Sequence, residues 1–185
     1  MKIEVLRDNC AHLEQHLRNI ERAWNYLQDA LKNDKIWDEV DIYSVMHYLE
    51  EHDLSKCNAE EFVPYAEFFH GTHGKNFSAD KYGNSSFAKE RHDKVVNTFK
   101  AAWEHHKDNN PHHWQNWTAK DGKEPRCELL VHLICMIVDW IAMSYQMGDT
   151  AEEYYVKNKD WILLPEWAHD EVQRIFKKIN EYERA

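Results

Sequence analysis

The stretch LLVHLICMIVDWIAMSYQM, Leu129–Met147, is the longest apolar run in the sequence. It contains the polar residues His132, Asp139 and Gln146, which are costly to place inside a lipid bilayer. The run therefore predicts a buried helix rather than a membrane span. Gly148, which directly follows it, predicts the end of that helix.

Helical periodicity also covers most of the remaining chain. The N-terminal segment, about Ile3 to Leu31, has apolar residues at spacings of three, four and seven, which is the pattern of one face of an amphipathic helix. Those residues are Leu6, Leu13, Leu17, Ile20, Trp24, Leu27 and Leu31. Further helices are predicted over Val40–Glu51, the segment from Ala59 through Phe69, Ser85–Lys107, Ala151–Asn158 and Pro165–Glu183.

The composition agrees with a helical globular protein. The 185 residues include only 5 glycines and 4 prolines, fewer turn-forming residues than an all-β protein needs. We predict one all-α domain over residues 1–185. Gly71–Gly83 is predicted to be a loop or lid, because it has three glycines and little periodicity. Asn58 is predicted to cap the following helix, with Glu61 at the third helical position.

Charge and cysteine content restrict the classes of partner. The formal net charge of −10 argues against a protein that binds extended nucleic acid through its phosphates. The four cysteines form no CxxC pair, and the charged first residues do not resemble a signal peptide. We therefore predict a cytoplasmic protein with reduced thiols and no membrane partner.

The dipeptide His52-Asp53 is the first candidate metal-binding element in a chain with 13 histidines. It falls at the predicted end of a helix, where the backbone can turn so that both side chains reach one ion. An imidazole and a carboxylate together suit divalent Mn, Fe, Co, Ni or Zn. An ordinary exposed pair of residues at a helix end remains the alternative.

Asp139 is the second candidate, because it lies inside the apolar run. A carboxylate is costly to bury there unless it is paired or binds a metal ion. The alternative is a solvent-facing aspartate on an amphipathic helix. His132 precedes Asp139 by seven residues and shares its helix face, so it is either a partner of a metal ligand or a packed core histidine.

The third candidate is a cluster of four histidines at the end of one predicted helix and in the following turn. Flanking tryptophans indicate a packed segment rather than a mobile tail. The cluster consists of two His-His pairs, and at most one member of each pair is expected to reach a shared site. We predict His106 and His112 as those members, over His105 and His113.

Along the chain these residues occur in the order His16, His52-Asp53, the histidine cluster and Asp139, each on a separate predicted helix or helix end. The order resembles that of the HD superfamily of metal-dependent phosphohydrolases, which implies an HD-domain-like helical bundle with a metal site between helices. The local sequences resemble more closely a small HD-like family of bacteria and phages (DUF5662-like). They are HDLSK at 52–56, EF at 61–62, AW at 102–103 and DW at 139–140.

The resemblance also implies a set of metal ligands. His16, His52, Asp53 and Asp139 would hold a first divalent ion. His12 fits the first position as well, and we choose His16 because it lies beside the apolar face of its helix. A second ion would be bound in the histidine cluster, by His106 and His112 or their neighbours.

The activity implied by the resemblance is hydrolysis of a nucleotide or another small phosphate ester by metal-activated water. Asp53 would orient that water. Lys56 would meet a substrate phosphate, with a solvated surface lysine as the alternative. The chain is compatible with an oligomer.

Two rival functions use the same residues. Some HD-type proteins use two iron ions to activate oxygen and oxidise an organic substrate, and a histidine-rich second site suits iron as well as manganese. A non-catalytic module that binds a nucleotide or regulates a partner is the other rival, because metal binding does not prove turnover.

Overall fold

The structure, a computed structural model, describes residues 2–78, 85–118 and 124–185. Within these ranges it contains α-helices and short 3₁₀ turns but no β-strand, so the predicted all-α class is confirmed. The α-helices are α1 (Ile3–Ala30), α2 (Ile42–Glu50), α3 (Ala59–His70), α4 (Ser86–Asn109), α5 (Trp114–Thr118), α6 (Arg126–Met147), α7 (Ala151–Asn158) and α8 (Glu166–Glu183). The 3₁₀ turns are Lys35–Asp38 and Leu54–Cys57.

The helices form two compact units. Unit 1 comprises the N-terminal residues up to Gln15 together with Asp53–Asn110, and unit 2 comprises His16–His52 together with Pro111–Ala185. Helix α1 contributes its first part to unit 1 and its remainder to unit 2. The single domain expected from the length of the chain stays a prediction.

Unit 1 is organised around the pairing of α3 with α4. The rings of Phe68 and Phe99 stack with their centroids 3.9 Å apart, and the Tyr65 ring meets Phe99 edge-on at 5.1 Å. Ser85 begins α4 as its N-cap and accepts a hydrogen bond from a backbone N–H of the first turn. These aromatic contacts therefore pack one face of α3 against α4. Glu61 lies on the same face, one turn before Tyr65.

The predicted capping of α3 is correct in position but not in its hydrogen bonds. Asn58 occupies the N-cap position, yet its side chain makes no capping hydrogen bond. Glu61 instead accepts a hydrogen bond of 2.9 Å from the Ser55 hydroxyl. Because the Glu61 side chain is fully buried, its carboxylate bonds to the side-chain donors around it.

The segment after α3 agrees with the predicted loop as far as it is described. Residues 71–78 form turns and bends without helix. The predicted loop or lid extends to Gly83, and its part from 79 onwards lies outside the described residues.

Unit 2 is built around α6, which packs against α2, α5, α7 and α8. All its residues from Leu129 to Val138 are buried, as expected of a core helix. By length and composition α6 could cross a membrane, but 61% of its most apolar window lies inside the structure, which is typical of a core helix. The second part of α1 adds Ile20, Leu27 and neighbouring apolar residues to the same core.

Candidate metal centre

Three side chains of unit 2 converge from three separate elements. His16 lies in α1, His52 follows the end of α2, and Asp139 lies in α6. The Nε2 atoms of His16 and His52 are 3.1 Å apart. Asp139 Oδ1 lies 3.3 Å from His16 Nε2 and 3.6 Å from His52 Nε2. Both imidazoles are buried, so three of the residues predicted as metal ligands come together in the interior of unit 2.

The spacing of these donor atoms matches the spacing of ligands around one cation. Ligand bonds of about 2.0 to 2.2 Å place neighbouring donors roughly 2.8 to 3.6 Å apart in octahedral or tetrahedral coordination. Two imidazole nitrogens and a carboxylate oxygen are also a donor set that borderline divalent metals prefer. The residues present therefore fit a divalent transition-metal ion.

Asp139 is held in its ionised form. Burial by itself would raise its pKa, but hydrogen bonds from His16 and His52 outweigh burial and hold the pKa well below the ordinary value of 3.8. The side chain is only 14% exposed, so the alternative of a solvent-facing aspartate does not apply. The carboxylate on this apolar helix is compensated by imidazoles, as its cost of burial requires.

His112 extends the cluster in unit 2. Its ring centroid lies 3.9 Å from that of His52, and donor atoms of His52, His112 and Asp139 all lie within 4.8 Å of one another. His112 is buried, whereas its neighbour His113 is only partly buried. Of this pair, His112 is thus the member placed beside the other candidate ligands of unit 2.

A second cluster lies within unit 1, around Asp53. Asp53 has a φ of 61°, a left-handed backbone conformation that no other described non-glycine residue adopts. Its Oδ2 lies 2.6 Å from Lys56 Nζ, and its Oδ1 lies 3.1 Å from His106 Nε2. The side chains of Asp53 and His106 have no exposed surface. A backbone turn is therefore present at the His52-Asp53 dipeptide, and it directs Asp53 to a histidine of α4. That both side chains of the dipeptide reach one ion stays a prediction.

Glu61 is a member of this cluster that sequence reasoning missed. Its Oε2 lies 2.9 Å from His106 Nδ1, and its Oε1 lies 2.7 Å from His105 Nδ1. From the sequence we predict only a position in the first turn of α3 for Glu61, as part of the cap of that helix. The signal that could have identified it is its position four residues before Tyr65, on the apolar face of α3. A glutamate on such a face is buried, and a buried carboxylate needs donors.

A family model described as a family of unknown function, DUF5662, matches residues 6–181. The chain belongs to the DUF5662 family. No curated protein and no solved structure matches it. The matched residues include both clusters, so each cluster lies within the part of the chain that defines a DUF5662 protein.

The remaining candidate histidines of this DUF5662 protein have other surroundings. In unit 1, His12 contacts the rings of Phe69 and His70, with centroid distances of 5.8 and 5.6 Å. In unit 2, His132 packs edge-on against the Tyr48 ring at 4.9 Å, and its Nε2 is 3.8 Å from a carboxylate oxygen of Glu124. The structure thus places His16 rather than His12 beside Asp139, and it gives His132 the surroundings of a packed core histidine.

Proposed function

We propose that the protein is a cytoplasmic, metal-dependent phosphohydrolase of the HD type, acting on a nucleotide or another small phosphate ester. The observation that carries this proposal is the buried cluster of His16, His52 and Asp139, whose donor atoms lie 3.1 to 3.6 Å apart. The all-α fold agrees with an HD-type protein, and so does the order of these residues along the chain. The proposal is therefore supported by donor chemistry, by spacing and by chain order together.

Two groups of residues would hold metal ions. His16, His52 and Asp139 would bind the first ion in unit 2, and Asp53 with His106 would bind a second ion in unit 1. When bound, a divalent ion lowers the pKa of a water ligand and neutralises negative charge on a phosphoryl oxygen. This local positive charge matters because a protein with a net charge of −10 otherwise repels a phosphate ester.

Asp53 and Lys56 have the chemistry to support hydrolysis in unit 1. The two oxygens of Asp53 have different neighbours, since Oδ2 contacts the Lys56 ammonium and Oδ1 faces His106. Asp53 would orient the attacking water by accepting one of its protons in a hydrogen bond. The Lys56 ammonium keeps some exposed surface, so it could contact a phosphoryl oxygen of the substrate while it remains beside Asp53.

Metal analysis tests the site. We would measure the metal content of the purified wild type and of His52→Ala by mass spectrometry, with His47→Ala as the matched control. His47 lies in α2, five residues before His52, but its side chain is 62% exposed and forms an ion pair with the exposed Glu51. We expect about one or two equivalents of a transition metal in the wild type and in His47→Ala, and about one equivalent less in His52→Ala, which keeps the residues proposed for the second ion.

Activity assays then test the reaction. The metal-loaded protein is incubated with a panel of nucleotides and phosphate esters, and released phosphate is measured. Phosphate release that disappears in His52→Ala supports the proposal. If iron is the predominant metal and oxygen is consumed when substrate is added, the protein is a di-iron oxygenase and not a phosphohydrolase. Tight nucleotide binding without turnover would replace it with a binding module, and a protein that binds none of Mn, Fe, Co, Ni or Zn would refute the metal site itself.

A further inference from the structure

Glu61 is a fully buried carboxylate on α3. An ionised side chain without exposed surface is strongly destabilising unless hydrogen-bond donors surround it. Its neighbour Glu60 has 80% of its side chain exposed, so burial at this point of the helix is specific to Glu61. Glu61 therefore needs hydrogen-bond donors close to both of its carboxylate oxygens.

The donors come from the turn Leu54–Cys57 and from α4. Ser55 donates its hydroxyl proton to Glu61 Oε2 over 2.9 Å. His106 Nδ1 lies 2.9 Å from the same oxygen, and His105 Nδ1 lies 2.7 Å from Oε1. A carboxylate only accepts hydrogen bonds, so each of these imidazole nitrogens carries the proton of its contact.

The surrounding groups agree with a proton on His106 Nδ1. The Asn110 amide group donates to the Ser55 oxygen over 3.0 Å and to the His106 carbonyl oxygen over 2.7 Å. The Ser55 hydroxyl donates its proton to Glu61, and the Ser55 oxygen and the Asn110 amide nitrogen also lie 3.0 and 3.1 Å from His106 Nδ1. With the protons of Asn110 and Ser55 assigned in this way, the contact between His106 and Glu61 is made by the Nδ1 proton.

We propose that Glu61 is a positioning residue that keeps a proton on His106 Nδ1 and thereby makes Nε2 the metal-binding atom. This inference rests on the proposed second ion at Asp53 and His106. The Nε2 atom lies 3.1 Å from Asp53 Oδ1, the separation of two donors that share one cation. Glu61 thus contacts one nitrogen of the His106 imidazole while the other nitrogen faces Asp53 and the proposed ion. Carboxylates in this position orient metal-binding histidines in many proteins.

The opposite proton position would be favoured without Glu61. A neutral histidine side chain in water carries its proton mainly on Nε2, and a hydrogen bond to one nitrogen determines which tautomer forms in a protein. Removing the negative charge of Glu61 therefore releases the Nδ1 proton and lets a proton return to Nε2. That proton occupies the position where an ion would bind, so metal affinity falls.

Nitrogen NMR of the full-length protein with labelled histidine tests the tautomer directly. In the metal-free wild type we expect the His106 Nδ1 resonance to be that of a protonated nitrogen, and with Zn²⁺ we expect the Nε2 resonance to be that of a metal-bound nitrogen. The variants are compared without metal, because an imidazole bound through Nε2 carries its proton on Nδ1 whatever its neighbour. The test uses Glu61→Gln and the matched control Glu60→Gln, which removes the same charge from the exposed neighbouring position. We expect Glu61→Gln to lose the Nδ1 protonated signal and Glu60→Gln to keep it.

Calorimetric titration with Zn²⁺ gives the second readout. We expect Glu61→Gln to bind the second ion about 10- to 100-fold more weakly, with the first ion unchanged. Glu60→Gln should bind both ions as the wild type does. Unchanged second-ion affinity in a folded Glu61→Gln variant would overturn the inference, and so would a wild-type His106 that carries its proton on Nε2.

A separate variant distinguishes failure of this inference from failure of the proposed function. If His106→Ala removes the second ion while Glu61→Gln does not, only the role of Glu61 is refuted. If the wild type binds no second ion, the proposed second site is refuted, and the wild-type tautomer still decides whether Glu61 holds the Nδ1 proton. The wild-type NMR measurement also decides the question if Glu61→Gln does not fold.

Discussion

Arg174 Nη1 in α8 lies 2.7 Å from Asp34 Oδ2, which joins the last helix to the turn that follows α1. Asp34 also accepts a hydrogen bond from the Ile36 N–H and so caps the turn Lys35–Asp38. Burial opposes ionisation of Asp34, but the hydrogen bonds from Arg174 and the Ile36 N–H outweigh it and lower the pKa of the carboxyl below its usual value of 3.8. The ionised form therefore stabilises unit 2.

The stability that Asp34 contributes should depend on pH in a defined direction. Because the folded-state pKa is lowered, the contribution is complete above the unfolded pKa of 3.8 and is lost as the pH falls through the lower folded-state pKa. We expect Asp34→Asn to lower the free energy of unfolding at pH 7 by about 1 to 2 kcal/mol. The difference from the wild type should shrink in acid. Denaturant unfolding at several pH values measures it, with the exposed Asp38→Asn as control; a difference that is constant with pH would contradict the prediction.

Tyr65 has a buried hydroxyl with no hydrogen-bond partner among the described residues. Burial raises the pKa of this hydroxyl, and the negative charges of Asp53 and Glu61 raise it further, so it stays protonated. Deleting an unsatisfied polar group removes its desolvation penalty, which is about 1 to 3 kcal/mol. We therefore expect Tyr65→Phe to leave the melting temperature unchanged or to raise it.

The matched variant for this prediction is Tyr155→Phe. Tyr155 is also buried, but its hydroxyl forms a hydrogen bond of 2.8 Å with His169 Nδ1. Deleting that hydroxyl leaves the imidazole without this contact, and we expect a loss of about 1 kcal/mol. Thermal unfolding of both variants makes the comparison. If Tyr65→Phe is the more destabilised of the two, an ordered water or ligand satisfies the Tyr65 hydroxyl in solution.

Helices α1 and α6 could be predicted from the sequence because their patterns are local. The apolar spacing of α1 determines which face of that helix is buried, and the continuous apolar run of α6 predicts a helix that is buried on all sides. Gly148 ends α6 as predicted, because it adopts a left-handed conformation with φ of 86°.

The candidate site could be predicted only in part, because its contacts depend on how helices pack. His132 and Asp139 share a helix face, but seven residues of helix separate them by about 10 Å, so the shared face does not bring them to one site. Glu61 looked like a capping residue because two of its partners, His105 and His106, come from α4, more than forty residues later in the chain. A choice such as His16 over His12 likewise rests on packing, which places His12 against Phe69.

Two glycines should respond to substitution for different physical reasons. A Cβ at Gly148 would meet no atom within 4 Å, so Gly148→Ala should cost only the strain of the left-handed backbone, about 1 kcal/mol. A Cβ at Gly74 would overlap the carbonyl group of Phe68, so Gly74→Ala forces the backbone of unit 1 to shift. We expect the larger loss of stability in Gly74→Ala.

Asparagine separates these two causes. Asn tolerates the left-handed conformation better than Ala, so Gly148→Asn should recover part of the stability lost in Gly148→Ala. At Gly74 the obstacle is steric, and Gly74→Asn should be no better than Gly74→Ala. Chemical denaturation of the four variants tests this order. Equal recovery at both positions would show that backbone conformation rather than overlap limits Gly74.

Lys56 should stabilise the metal-free protein through Asp53. Its ammonium lies 2.6 Å from the carboxylate of a residue that has no exposed surface. Removing one partner of a buried ion pair leaves an uncompensated charge, so Lys56→Met should lower the free energy of unfolding by about 3 kcal/mol without metal. A bound divalent ion would replace the missing positive charge. We therefore expect added Mn²⁺ to raise the melting temperature of Lys56→Met by more than it raises that of the wild type.

The control for Lys56 is a lysine with the same spacing to its partner but an exposed position. Lys178 pairs with Glu181 three residues later over 3.2 Å, and both side chains are largely accessible to solvent. Because water already solvates these charges, Lys178→Met should change stability by less than about 1 kcal/mol, with no response to Mn²⁺. If Lys56→Met changes the stability as little as Lys178→Met does, Lys56 is not needed to stabilise the buried Asp53 carboxylate. A raised KM for a phosphate ester with unchanged stability would then assign Lys56 to the substrate alone.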